Sequence, residues 1–136
     1  MNTTRIGDIG VAHVITRCME KNIPVYVPFG DNERADLIIL LENKPFKVQV
    51  KTVLTDKNGK SEFGLKSTTS RIYNRKSVTR HYTSDEVDYY MLYNIARNEV
   101  YMLPFCECQK AFVTIRHEPT KNKQQKNIKM DKDYLF

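Results

Sequence analysis

The sequence predicts a mixed fold, α/β or α+β, on three observations. An amphipathic helical stretch comes first. Two runs of β-formers then flank a short polar break, and two more β-rich runs meet at a turn near "ARN". A length of 136 residues is enough for one domain with a single core, so residues 1–136 read as one unit.

Residues 4 to about 21 carry Ile6, Val11, Val14, Ile15, Cys18 and Met19 at a helical period. Thr3 or Thr4 suits the N-cap, and Asp8 is expected in the first turn, where the helix dipole favours an anion. Gly7 and Gly10 weaken this start but permit close packing on a strand. Pro24 stops the helix. "PVYVPF" is a short strand, and "GDNER" is a turn by composition. "ADLIILL" is apolar on both faces after Asp36, which predicts a central strand covered twice. "FKVQVKT" alternates: Phe46, Val48 and Val50 point one way, and Lys47, Gln49 and Lys51 the other. A two-residue turn at Asn43-Lys44, or a four-residue loop at 42–45, sets Leu41 opposite Phe46 and Asp36 opposite Lys51, with Gln49 diagonal; a three-residue loop would break that parity. "SEFGLKS" is a weak strand, "DYYMLYNI" and "NEVYMLPF" are strands, and "AFVTIR" is a last strand or edge.

The balance of 22 Lys+Arg against 16 Asp+Glu gives a net charge of +6, which points weakly to nucleic acid. The distribution points more firmly. Residues 55–80 hold seven basic and two acidic side chains among Ser, Thr, Asn and Tyr, a composition suited to phosphates and base edges. A second basic stretch, about 117–132, includes "KNKQQKNIK". No apolar run approaches the roughly 18 residues needed to cross a bilayer. The N-terminus has no secretory pattern, and three cysteines suit a reduced chain, so the expected location is cytoplasmic, at the nucleoid when bound to DNA. No Gly-rich nucleotide motif occurs. His81, Ser84 and Asp85 do not form a triad by adjacency alone, and Cys106, Cys108 and His117 lack a fourth zinc ligand.

Polar residues inside β patterns carry the chemistry. Asp36 heads one strand, and Gln49 and Lys51 sit two apart on the next. A carboxylate, an amide carbonyl and the Val50 backbone carbonyl are oxygen donors of the kind Mg²⁺ takes. A nearby lysine can orient a water or offset charge at phosphorus. The plain alternative is an exposed Asp36–Lys51 cross-strand pair worth a few tenths of a kcal/mol.

Taken together, "GDIG…PVYVPFGDNERADLIILL…FKVQVKT…DYYMLYNIARNEVYMLPF" resembles the PD-(D/E)XK nuclease superfamily, and within it the homing endonucleases of bacterial and cyanobacterial group I introns. The likeness runs from about residue 5 to 105. It implies a restriction-endonuclease-like α/β core with a mixed central sheet flanked by helices, and Mg²⁺-dependent (or other divalent-cation) cleavage of double-stranded DNA. It also implies self-association as a homodimer or homotetramer. The family's catalytic residues carry over to Asp36, Gln49 and Lys51. The family's helix-1 glutamate falls on Val11, which cannot bind a metal, so the resemblance implies impaired activity unless Asp8 compensates. Restriction enzymes and junction resolvases share this core. A catalytically inactive DNA-binding protein on the same fold is the competing class, and an RNA-binding protein is supported by charge alone.

Specificity is expected from the basic excursion. "DKNGKSEF" predicts an Asn58-Gly59 hairpin that continues strand 48–53 into a two-stranded ribbon, which fits the major groove. Lys57, Asn58, Lys60, Lys66, Ser67, Thr69, Arg71, Tyr73, Asn74, Arg75, Lys76 and Arg80 are the expected DNA contacts. "VYMLPF" and the C-terminal "DYLF" are candidates for subunit interfaces, although core packing explains the first equally well.

Overall fold

The computed structural model describes the chain except residues 31, 74, 75 and 125; over 67–80 it describes backbone alone. Helix α1 (Thr3–Glu20) comes first, followed by β1 (Val25–Tyr26), β2 (Leu37–Leu41) and β3 (Lys44–Val53). Then come β4 (Lys60–Gly64), β5 (Ser67–Tyr73), β6 (Lys76–Arg80), β7 (Tyr89–Asn94) and β8 (Glu99–Pro104). A 3₁₀ turn (Phe105–Glu107), β9 (Phe112–Arg116), β10 (Lys129–Met130) and a single turn of helix, α2 (Asp131–Tyr134), complete the chain.

Five strands form a mixed sheet in the order β1-β2-β3-β7-β8, with β3 and β7 parallel and the other neighbours antiparallel. The alternation read in β3 divides the core. Val48 and Val50 join Leu37, Ile39, Met91 and Tyr93 under α1, which contributes Val14 and Cys18. The opposite face carries Tyr90, Leu92, Tyr101 and Leu103. It is covered by a second sheet, β10-β9-β4, through Phe63, Val113 and Ile115. Helix α1 thus covers one face, while the second sheet covers the other together with Tyr134 of the α2 turn. No helix of the described residues is long and apolar enough to cross a membrane.

Several local expectations need correction. Asn2 caps α1, its Oδ1 accepting from Arg5 N–H (2.9 Å), so the helix starts earlier and Asp8 falls outside the first turn. Met19 is 67% exposed because the apolar stripe ends at Cys18. β2 is not central: β3 separates it from β7, and only Leu37 and Ile39 of its five residues are buried. The β2–β3 turn is Glu42-Asn43, both left-handed (φ 51° and 64°), and Leu41 pairs with Lys44. Asparagine tolerates that conformation better than the lysine that the expected turn would have placed there. The register therefore moves by two. Continuing it past Leu37↔Val48 sets Asp36 beside Gln49 rather than Lys51, with parity and shared face preserved.

The Asn58-Gly59 turn forms, with φ of 54° and 69°. It does not extend β3 into a ribbon, because β3 ends at Val53 and β4 pairs with β9. The two-stranded ribbon is β5–β6, whose described pairing runs from Ser67↔Arg80 to Tyr73↔Lys76. The β8 run "VYMLPF" packs largely in the core, and of the C-terminal "DYLF" Phe136 turns inward while Leu135 stays exposed. Val100, Tyr101 and Leu103 are buried, Phe136 packs on the α1 side of the core, and its N–H donates to Val100 O (2.8 Å).

Candidate active site

Asp36 precedes β2 and is built into the sheet from both ends. Its N–H donates to Val48 O (2.9 Å), and its Oδ2 accepts from Val50 N–H (2.9 Å). The carboxylate thus continues the β2–β3 ladder where β2 itself has not begun, a task suited to a short acceptor side chain. Gln49 and Lys51 lie on the same face, next to Tyr90 and Leu92 of β7. Gln49 is buried, at 6% exposure, and its Oε1 has no hydrogen-bond partner. An unmatched buried carbonyl costs roughly 1–3 kcal/mol.

The charges are perturbed in opposite directions. Burial pushes the Asp36 carboxyl above the ordinary carboxylate range, against the Val50 N–H and then the charge of Lys51. Burial pushes the Lys51 ammonium below the usual lysine range; Asp36 opposes this and Arg34 adds to it. Opposed shifts of adjacent groups by desolvation and a named partner mark functional sites more often than surface pairs. The ion pairs within 4.0 Å among the described residues lie elsewhere, so Asp36–Lys51 is not the cross-strand bridge of the plain alternative. Lys51 Nζ instead sits 5.2 Å from the centroid of the Tyr82 ring.

The donor set fits a hard divalent cation. Asp36 offers a carboxylate, and Gln49 Oε1 is a buried oxygen without a proton donor, which a cation would satisfy. The Val50 carbonyl belongs to the same stretch of β3. Val11 packs with the α1-side cluster, the face of the sheet opposite Gln49 and Lys51, and Asp8 is exposed on α1. Sequence reasoning brought Asp36, Gln49 and Lys51 together, and the structure does too, on a different register.

Of the expected DNA contacts, Lys57, Asn58 and Lys66 are exposed and Lys60 is half-buried. Ser67, Thr69, Arg71, Tyr73, Lys76 and Arg80 lie on the ribbon, and their side chains are outside the described residues, as are Asn74 and Arg75 entirely.

A second polar constellation went unread in the sequence. Asn94 Nδ2 donates to Ser61 Oγ (2.7 Å), Ser61 Oγ meets His117 Nε2 (2.6 Å), and His117 Nδ1 meets Asp131 Oδ2 (3.0 Å). Ser61 and Asn94 have no exposed surface, so this Ser-His-Asp chain offers no nucleophile to a substrate. Glu99, His117 and Asp131 also cluster closely enough for a metal, but both His117 nitrogens are already engaged and Glu99 holds Arg97 and Tyr101. The network joins the two sheets and docks the C-terminal segment. Its members come from β4, β7 and the stretches after β9 and β10, so no local motif could announce it.

Comparison with known proteins bears on the fold and the family. A comparison with curated protein sequences finds no match. Among solved structures, the bacterial homing endonuclease I-Ssp6803I superimposes with a TM-score of 0.80 at 21% identity, over 99% of this chain and 89% of that one. At that identity the likeness establishes the restriction-endonuclease-like fold. The family model for PD-(D/E)XK endonucleases matches residues 1–136. The chain belongs to the PD-(D/E)XK endonuclease family.

Proposed function

We propose that the chain is a site-specific DNA endonuclease of the homing kind, hydrolysing phosphodiesters in both strands of a duplex with Mg²⁺ or another divalent cation. The observation that carries this reading is the partnerless buried Gln49 Oε1 on one face with Asp36 and Lys51. A packing strand would satisfy that oxygen or replace it. Asp36, Gln49 and the Val50 carbonyl would hold the cation, which supplies Lewis-acid polarisation of a phosphoryl oxygen. Lys51 orients the attacking water and offsets charge on the five-coordinate phosphorus. Its partial burial strengthens that electrostatic effect.

The β5–β6 ribbon, with Lys66 directly before it, suits contact with the major groove, and Lys57 and Lys60 at the Asn58-Gly59 turn suit contact with phosphates. Two strands need two sites, and two-fold pairing is the simplest supply. Tyr26, Val27 and Phe29, at 56%, 66% and 105% exposure, give the β1 edge an apolar surface for a second copy.

Val11 favours a second reading, a protein that binds the duplex without cutting it, since an acid expected on helix 1 is replaced by a core-packing valine. One experiment tests both. The chain and its Val11→Glu variant are incubated with a random-insert duplex library in Mg²⁺ or EDTA, and cut ends and retained duplexes are sequenced. Cutting in Mg²⁺ that is lost in Lys51→Ala supports the endonuclease. Retention of a defined sequence with no cutting by either protein supports the binder.

A further inference from the structure

We propose that Tyr82 is a positioning residue for Lys51, holding the lysine ammonium over its ring and against the sheet; this rests on the endonuclease reading above. No motif names Tyr82. It lies two residues beyond the end of β6, and its ring is fixed from several directions. The ring meets Tyr90 edge-on (centroids 6.1 Å apart, planes at 83°), and Tyr90 in turn stacks on Phe105. Tyr90 is the register partner of Gln49, so the aromatic support stands on the strand beside the site.

Two cations use the ring: the Arg34 guanidinium at 4.4 Å from the centroid and Lys51 Nζ at 5.2 Å, both within the reach of cation–π attraction. Arg34 is held by Glu86 (Nε–Oε2, 2.5 Å), and Glu86 accepts from Thr83 Oγ1 (3.1 Å). The N–H groups of Glu86 and Val87 both donate to Thr83 O (3.0 and 3.1 Å). The turn that presents Tyr82 thus also anchors Arg34, and the ring is placed before any substrate arrives. A flexible lysine stem is otherwise free to swing away from a phosphate. No ion pair within 4.0 Å joins Lys51 to Asp36 among the described residues, and the ring gives its ammonium an aromatic partner at 5.2 Å. A site held to about half an ångström needs such support from its neighbours.

Tyr82→Phe keeps the ring, and Tyr82→Leu removes it while keeping apolar volume. Single-turnover cleavage of a duplex recovered from the library is measured in Mg²⁺, and affinity for the same duplex in EDTA. Tyr82→Phe is expected within about 2-fold of the parent and Tyr82→Leu about 10-fold slower, with affinities unchanged. Parental cutting by Tyr82→Leu, or an equal loss in both variants, overturns the proposal.

A second arm needs neither DNA nor activity. The chain has no Trp, so Tyr82→Trp is its sole indole. Adding Lys51→Met to that variant is expected to change indole emission, and adding Lys21→Met is not. Emission indifferent to Lys51→Met overturns the proposal. If no variant, parent included, cuts any duplex, the endonuclease reading fails, and the emission arm alone decides the contact.

Discussion

Replacing Gly10 with alanine should destabilise the protein, contrary to what helix propensity alone predicts. An alanine in a helix interior is favoured over glycine by about 0.8–1.0 kcal/mol. At Gly10, however, the new Cβ would lie 1.8 Å from Thr52 Oγ1, 3.1 Å from its Cβ and 3.4 Å from its Cγ2. The threonine is β-branched and sits in β3, so turning it away costs about 0.5–1.5 kcal/mol, and overpacking a tight contact costs about 1–3. The net expectation for Gly10→Ala is a loss of about 1–2 kcal/mol. Thr52→Ala alone should be near neutral. It removes a methyl worth about 0.8 kcal/mol of burial, but also a buried hydroxyl oxygen that has no partner. The double variant should recover most of the loss, giving a coupling of about 2 kcal/mol between the positions. Urea unfolding followed by far-ultraviolet circular dichroism, with equal slopes for the four proteins, reads this directly. A Gly10→Ala protein more stable than the parent, with additive Thr52→Ala, would refute the close approach of α1 to β3. That approach matters because Thr52 adjoins Lys51.

Asp36→Asn with Lys51→Met should abolish cutting yet raise unfolding stability by about 1 kcal/mol, since it removes two desolvated charges and keeps an acceptor for Val50 N–H. The Asp36 carboxyl is raised in the folded state, so its stabilising contribution is present below the unfolded value near 3.9 and is lost as pH rises through the folded one; the variant's advantage should therefore grow from pH 4 towards neutrality. Asp131 has the opposite sign: although burial pushes it up, the His117 hydrogen bond, Lys132 N–H and nearby cations leave it below the usual range. Its contribution is present above the unfolded value and is lost as pH falls through the folded one, so Asp131→Asn should be less acid-sensitive than the parent in thermal melts below about pH 4. Of three thiols, exposed Cys106 alone should react with a disulfide reagent before unfolding, because burial raises Cys18 to about 11 and Cys108 to about 12. Labelling of two or more in the native protein would contradict the packing. Phe29→Ser should lower the association state seen by sedimentation without changing thermal stability, and an unchanged state would move the interface elsewhere.

Elements that bury one face of themselves were legible in the sequence. The period of α1 and the strict alternation of β3 encode which side chains face α1, and β7 and β8 follow from their β-rich runs around a turn. Register was less legible, because it hung on which residue accepted a left-handed backbone, and Glu42 does so beside Asn43. Strands β4 and β9 were expected from their runs, but their pairing with β10 into a second sheet was not legible. Its pairing is non-local, and an exposed alternation such as Glu62 against Phe63 looks the same whichever partner arrives. The grouping of Asp36, Gln49 and Lys51 survived the register error because a shift of two preserves the face. Tyr82, Arg34 and Glu86 could not be found this way, since the stretch before β2 and the turn after β6 converge on Lys51 from distant parts of the chain.

Two buried amides on one face of the central sheet separate structure from function. Gln49 and Asn94 both belong to the face carrying Tyr90 and Leu92, Asn94 as the register partner of Val53. Asn94 is fully buried with both ends of its amide engaged, donating to Ser61 and accepting from Arg97 N–H (3.1 Å). Satisfied in this way, it fixes one sheet against the other, and its removal should cost stability alone. Gln49 is almost as buried, yet its carbonyl oxygen is unmatched beside a carboxylate whose own ionisation burial opposes. On stability alone a leucine is expected to suit that position better, which is what the endonuclease reading above predicts for a metal-free site. Stability terms pull Asp36, Gln49 and Lys51 towards neutral or apolar replacements, and a divalent cation is the partner that would reverse that preference for the two oxygen donors together. Calorimetry follows from this: Mg²⁺ should raise the unfolding temperature of the parent, and Gln49→Leu should raise the metal-free temperature while abolishing the Mg²⁺ increment. An increment that survives Gln49→Leu would place the cation away from this strand.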